Sequence, residues 1–226
     1  MHPLVAAADL VVGAACPGCG TPALRLCRLC GEAVPPDPST VDPPRQVGVP
    51  VVAAGPYSGI LRRTVLAWKE QGREPLTAVL ACHLAAAVVP LLDDRPAVLV
   101  PAPSSAGRWS RRGEDRMGPL VAAAAERIAA LDVPVSVRRL LVRTRRVADQ
   151  TVLGAGGRAA NQHASMHAGA VVPERGALVV VVDDVVTTGS TLAEAVRALR
   201  VRGHGVAGAA VVAATPAPTA RRRSDL

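Results

Sequence analysis

Short, continuous apolar runs alternate along this chain with longer stretches of helical character. Gln46 to Ala54 predicts a first strand, closed by Gly55-Pro56-Tyr57, and Ser58 is placed to cap a helix running to Gln71. Leu76 to Leu92 predicts a second helix, Ala97 to Val100 a short buried strand, Gly118 to Leu131 a third helix, and Arg139 to Val142 another strand. Leu178 to Val182 is an unbroken β-branched run with a helix-forming stretch after it, and Gly205 to Thr215 forms a last apolar strand. Buried strands alternating with helices predict an α/β fold, a largely parallel sheet flanked by helices. Val34 to Pro50 carries six prolines and reads as a linker. Arg143 to Ala168 is polar, Arg-rich and glycine-containing, and reads as a mobile loop or lid. Cys82, alone within the second helix, is expected to be a small buried hydrophobe. These divisions predict a small module and linker over residues 1–45, a main domain over 46–216 and a disordered basic tail over 217–226.

Composition narrows the class. The length of 226 residues, half of them apolar, suits one ordinary domain with a substantial core plus a small module. No apolar stretch approaches membrane-spanning length on the sequence alone, and the amino-terminal segment lacks a basic start, so a cytoplasmic location without membrane insertion is expected. The net charge of +8 raises a nucleic-acid reading. Against it, Lys69 is the single lysine, and one Tyr, two Trp and no Phe make a poor stacking platform. Arg221-Arg222-Arg223 reads as part of a solvated tail.

The run Leu178 to Val182 ends in two adjacent carboxylates, Asp183 and Asp184. A hydroxyl- and glycine-rich turn follows, from Thr187 to Thr191, and then the helix. A turn at the carboxyl end of a parallel strand is where open α/β sheets place ligands. Its backbone amides, its hydroxyls and the helix N-terminus make an anion cup. Two acids in front of that cup suit a ligand with a phosphate at one end and hydroxyls or a metal further along, as in a ribose 5-phosphate. The alternative is a strand ending in an Asp helix cap with a polar turn. A Walker A loop would need a lysine before its final Ser/Thr.

Cys16, Cys19, Cys27 and Cys30 form a C-x2-C-x7-C-x2-C pattern, with Gly18, Gly20 and Gly31 allowing tight turns. Four thiolates at such spacing fit a tetrahedral structural zinc site. Two disulfides, a redox dithiol or iron–sulfur ligation are the alternatives, and a cytosolic setting disfavours stable disulfides. A module this small has no core of its own, so the metal would supply on the order of 10 kcal/mol of folding energy.

The acid pair and loop resemble the 5-phosphoribosyl-1-pyrophosphate (PRPP) signature of type I phosphoribosyltransferases. The resemblance implies that Asp183 and Asp184 hold the ribose hydroxyls. It implies that the segment Val185, Val186, Thr187, Thr188, Gly189, Ser190 and Thr191 holds the 5-phosphate. Three further stretches resemble ComF-type proteins, the competence protein F or GntX group, which join a four-cysteine zinc module to a phosphoribosyltransferase domain. Gly55-Pro56-Tyr57 with Ile60, Leu61, Trp68, Lys69 and Gly72 is one. Val100 to Ser104 with Arg108, Arg111, Arg112 and Gly113 is the second, and Gln150, Leu153, Arg158 and Asn161 the third. The chain departs from that pattern at Glu114-Asp115-Arg116, where the family has Phe-Asn-Gln, and at Val147, where it has Thr.

The resemblance implies transfer of phosphoribose from PRPP, with Mg2+, to an unidentified, nucleobase-like acceptor. Cations are needed where charge develops on the pyrophosphate leaving group. The loop running from Pro103 through Ser104 to Ser105 would offer backbone amides to it, and Arg108, Arg111 and Arg112 forked donors. Arg143 to Arg146, with Gln150, would close over the site. The alternative is a non-catalytic PRPP- or nucleotide-binding accessory protein in DNA uptake and natural competence, its zinc module contacting a DNA-translocating partner or single-stranded DNA. The resemblance leaves room for an oligomer. Lys69 is given a modest site role, and His163, His167 and His204 are expected to be ordinary surface residues.

Overall fold

The computed structural model describes residues 14–103, 115–143, 165–169 and 176–216. A six-stranded sheet forms its centre. Its strands are β1 (Ser39–Thr40), β2 (Val51–Ala53), β3 (Ala97–Pro101), β4 (Val135–Val137), β7 (Leu178–Val186) and β8 (Val206–Ala214), in the order β1-β2-β8-β7-β3-β4. Every pairing is parallel except that of β1 with β2. A separate antiparallel pair joins β5 (Leu141–Arg143) to β6 (Met166–Ala168), with Val142 opposite His167. The mixed α/β architecture with a mostly parallel sheet is therefore the one the alternating pattern predicts.

Helices cover both faces. Against one lie α2 (Gly59–Gln71), α3 (Thr77–Val88) and α4 (Met117–Ala129), whose Leu61, Leu80, Leu84, Leu120 and Ile128 pack on Val180 and Val182. Against the other lies α5 (Ser190–Val201), whose Leu192, Val196 and Leu199 pack on Val179 and Val181. Burial on both faces is why β7 and β8 read as continuous apolar runs. The short β5–β6 ribbon is pinned to α5 by charge: Glu194, 2% exposed, accepts from the Met166 amide at 3.0 Å, and Arg197 donates both to Glu194 and to the Met166 carbonyl. A short helix, α1 (Arg28–Glu32), belongs to the cysteine module.

Several local expectations change. The first strand is only Val51–Ala53, because Gly48 takes a left-handed φ of 81° and Pro50 has no amide to donate. The expected strand Arg139 to Val142 begins two residues later and lies outside the main sheet, where an unpredicted strand just before it takes its place. Val135–Val137 joins the main sheet, and Leu141–Arg143 pairs with Met166–Ala168 at the far end of the polar segment read as a loop. Residues 144–164 between them lie outside the described residues.

Cys82 is exposed, not buried. It shares the outer stripe of α3 with Ala78, while Leu80, Leu84 and Val88 face the core. His204, expected at the surface, is 7% exposed and its Nε2 finds no partner among the described atoms. His167 is exposed, and His163 lies outside the described residues. One helical stretch, Glu74–Leu91, is long and apolar enough to cross a membrane by length and composition, contrary to the sequence reading. Here its Leu76, Leu80, Leu84 and Val88 lie in the core.

The proline-rich stretch is more than a tether. It contributes β1, and its Arg45 amide donates to the Thr188 carbonyl at 2.9 Å. Earlier in the same stretch, the Val34 carbonyl lies 3.1 Å from Nε2 of the buried His83 on α3.

Candidate functional site

Strand β7 carries the acid pair at its carboxyl end and delivers the chain to α5 through Thr187-Thr188-Gly189. Gly189 has φ +81° and directly precedes the helix. A Cβ there would meet the Arg45 carbonyl at 2.7 Å and Pro43 at 2.9 Å, so the turn requires glycine for conformation and for space. No side chain caps α5; Ser190 N makes only a long 3.4 Å contact with Thr188 Oγ1. The helix therefore presents unsatisfied amides beside the exposed Thr187 and Thr188, with Ser190 and Thr191 half-buried. Val185 is half-buried and Val186 buried, so their side chains shape the strand and leave only backbone for a ligand.

The two carboxylates are held by their own backbone. Asp183 Oδ1 accepts from Asp184 N and Asp184 Oδ1 from Val185 N, both at 2.8 Å. Lys69 Nζ on α2 sits 2.5 Å from Asp184 Oδ2. Burial, with the Asp184 charge second, pushes the Asp183 carboxyl up to about 8. Lys69 and Arg143 act against that shift, so both cations lie within electrostatic reach of the pair. Burial works against the Lys69 charge as well, but Asp184 outweighs it and the lysine stays above its usual value. An acid pair with one lysine partner suits further positive charge or hydroxyl donors, and carboxylate oxygens are hard donors of the kind Mg2+ accepts.

The structure also brings together what the sequence left scattered. Arg143 Nε donates to the Pro103 carbonyl at 3.1 Å, tying β5 to the turn after β3. Tyr57 borders the same corner: burial raises its phenol, and the charges of Lys69 and Asp184 both reach it. Sequence reasoning gave Lys69 only a modest place and did not pair it with an acid; its being the single lysine was the available signal. Ser104, Ser105, Arg108, Arg111, Arg112 and Glu114 lie outside the described residues, as do Thr144, Arg145, Arg146, Val147, Gln150, Leu153, Arg158 and Asn161.

Asp115 and Arg116, where the chain departs from the ComF pattern, serve the fold. Asp115 Oδ1 accepts from the Gly118 amide in the first turn of α4, and Asp115 also pairs with Arg139. Arg116 Nη1 donates to the Trp68 carbonyl at 2.7 Å, joining α4 to α2 beside Lys69.

The four cysteine sulfurs form a second centre. All lie within 4.8 Å of one another, and Cys19 and Cys27 are 3.6 Å apart. A tetrahedral S4 site with metal–sulfur bonds near 2.3 Å needs sulfur separations of about 3.8 Å, so the donor set fits zinc. Amides of Gly18 and Cys27 donate to Cys16 Sγ at 3.4 and 3.3 Å, as expected for sulfur carrying negative charge. A Cβ on Gly18 would meet the Cys30 side chain, which makes glycine obligatory there. The thiols are unequal: hydrogen bonding to Thr21 lowers Cys19 to about 6, while burial raises Cys30 to about 12. Four equivalent thiolates thus need a cation among them. Arg63 on α2 donates to the Pro17 and Gly18 carbonyls, and Arg73 to those of Ala15, Ala23 and Leu24. The module is clamped to the main domain through its backbone.

Residues 119–225 match the family model described as Phosphoribosyl transferase domain. No curated protein matches the chain. The match takes in α4 from its third residue on, the acid pair, the loop, α5 and β8, and leaves the cysteine cluster and the first three strands of the sheet outside it.

Proposed function

We propose, from the premise that the chain carries a phosphoribosyl transferase domain, that it binds PRPP with Mg2+ and transfers phosphoribose to a nucleobase-like acceptor. The observation that carries this reading is the uncapped amino end of α5 directly behind an acid pair at a strand's carboxyl edge. The amides from Thr188 to Thr191 would take the 5-phosphate, with Thr187 and Thr188 hydroxyls beside them. Asp183 and Asp184 would accept from the ribose hydroxyls, with Lys69 holding Asp184 in place. Arg143, tied to the turn at Pro103, lies within electrostatic reach of the pair from the β3 side, where its positive charge would meet the pyrophosphate. Mg2+, when bound, would neutralise the charge that develops on the leaving group. A zinc ion on Cys16, Cys19, Cys27 and Cys30 would be structural, since no fifth donor or open position marks a catalytic one among the described residues.

The test is calorimetric titration with PRPP and Mg2+, followed by pyrophosphate release. Binding that disappears in the Asp183→Asn, Asp184→Asn double variant, with an unchanged circular dichroism spectrum, supports the reading. Undiminished binding in that variant rejects the site. Binding without pyrophosphate release from any acceptor would favour the second reading, an accessory protein that senses PRPP.

A further inference from the structure

A cavity of about 750 Å³ lies beside the phosphate turn, between the proline-rich stretch and the carboxyl ends of β2, β8 and β7. Asp37, Val41, Asp42 and Pro43 form one wall, and Ala53, Val186 and Ala214 the floor. Thr187 and Thr215 also line it. The volume falls within the range of small-molecule sites. Its chemistry is opposite to that of the rest of the chain. The protein carries a net charge of +8, yet the described residues lining this space include two carboxylates and no Lys, Arg or His.

Position gives the cavity a role. Strand β7 lies between β8 and β3. The turn at Pro103, with Arg143, lies on the β3 side of the acid pair, and the cavity on the β8 side. Displacement at the ribose C1 carbon places the incoming atom and the leaving pyrophosphate on opposite faces of that carbon. A ligand in the cavity therefore approaches from the side away from the pyrophosphate.

We propose that this cavity is the acceptor subsite and that it takes an uncharged or amino-bearing nitrogen heterocycle, not a carboxylate. The inference rests on the phosphoribosyl transfer reading. An acidic acceptor would face Asp37 and Asp42 with no cation among the described lining residues to offset them, and like-charge approach is costly. A flat neutral ring finds proline faces at Pro43, Pro44 and Pro56, and its N–H groups find carboxylate acceptors. In the transfer, a ring or amino nitrogen bonds to C1 as the bond from C1 to the pyrophosphate oxygen breaks. Pyrophosphate leaves with the electron pair, and the nitrogen's proton passes to water.

The experiment uses adenine and cytosine as neutral probes and nicotinate and orotate as acidic ones. Each is followed by ligand-detected NMR on the full chain, then by pyrophosphate release with PRPP and Mg2+. Ser39→Trp, at an exposed position of β1, narrows the cavity, and Asp42→Lys reverses the charge of its wall. The expected result is binding of at least one neutral probe and neither acid. Ser39→Trp should weaken that binding about tenfold or more, while calorimetric PRPP affinity stays within about twofold. Asp42→Lys should shift preference toward nicotinate or orotate. Equal binding of the acids, a neutral probe indifferent to Ser39→Trp, or no probe bound at all would overturn the subsite. Loss of PRPP binding in the unaltered protein would instead remove the transfer reading, and the NMR arm reads the cavity independently of it.

Discussion

Lys69 Nζ lies 2.5 Å from Asp184 Oδ2, joining the single lysine of the chain to the more buried member of the acid pair. Their side chains are 52% and 9% exposed, so the lysine head is half in water while the carboxylate is largely out of it. Removing the cation leaves a carboxylate with little solvent. Lys69→Met, which keeps the apolar stem, is expected to cost roughly 1 kcal/mol, the upper end for a pair with one accessible partner. Because the folded lysine titrates above its unfolded value, this contribution is complete below the unfolded value and disappears as pH rises through the folded one. Urea denaturation of both proteins near neutral pH and at strongly alkaline pH measures it. A difference that persists at alkaline pH would show that the pair is not its source.

Asp183 sets the opposite kind of pH dependence. Its carboxyl is raised from 3.8 to about 8, chiefly by burial. The native state then holds a proton that the unfolded chain has released, so stability falls as pH rises between those values. Asp183→Asn removes the proton and should flatten that slope, leaving the variant more heat-stable than the parent above neutrality. Melting temperatures at about pH 5 and about pH 8.5 suffice, and parallel slopes for the two proteins would refute the assignment.

Gly189→Ala is expected to cost about 2 kcal/mol or more, from the left-handed φ of 81° together with the overlap with the Arg45 carbonyl and Pro43. PRPP binding should be lost with it, since the turn cannot relax without pulling the proline-rich stretch away. A chemical denaturation curve indistinguishable from the parent's would mean that the stretch is not held against the turn.

About one zinc ion per chain is expected, from one set of four thiolates. Gly18→Ala should abolish it by displacing Cys30, whereas Arg63→Ala should keep the metal and loosen the module from α2. Elemental analysis and limited proteolysis separate these outcomes. Full metal content in Gly18→Ala would contradict the packing described.

The elements that were legible in the sequence are those whose signals are local. The run from Leu178 through α5 is continuous in the chain, with strand, acids, turn and helix in order. The cysteine cluster is legible from spacing, and α2 from its run to Gln71, although Ser58 stands at the N-cap position without making a side-chain cap. What was not legible depends on distant partners. Strand β6 has three residues and exists through β5, more than twenty positions earlier, and through Glu194 on α5. Nothing local distinguishes Lys69 from a surface lysine until α2 packs over β7. Cys82 was misjudged by helical phase: a helix apolar on nearly every side does not reveal which stripe faces outward.

The order of strands in the sheet bears on how the protein can be divided. Between β8 and the edge lie β2 and β1, and β3 separates β7 from β4. All three of these neighbours come from residues 39–101, ahead of the stretch that resembles the transferase family. A chain begun at residue 119 would keep the acid pair and the phosphate turn but leave both long, apolar strands with bare ladders. Such strands recruit one another between molecules. The recognisable half of this protein is therefore expected to be insoluble by itself, and the unrecognised half acts as its chaperone in cis.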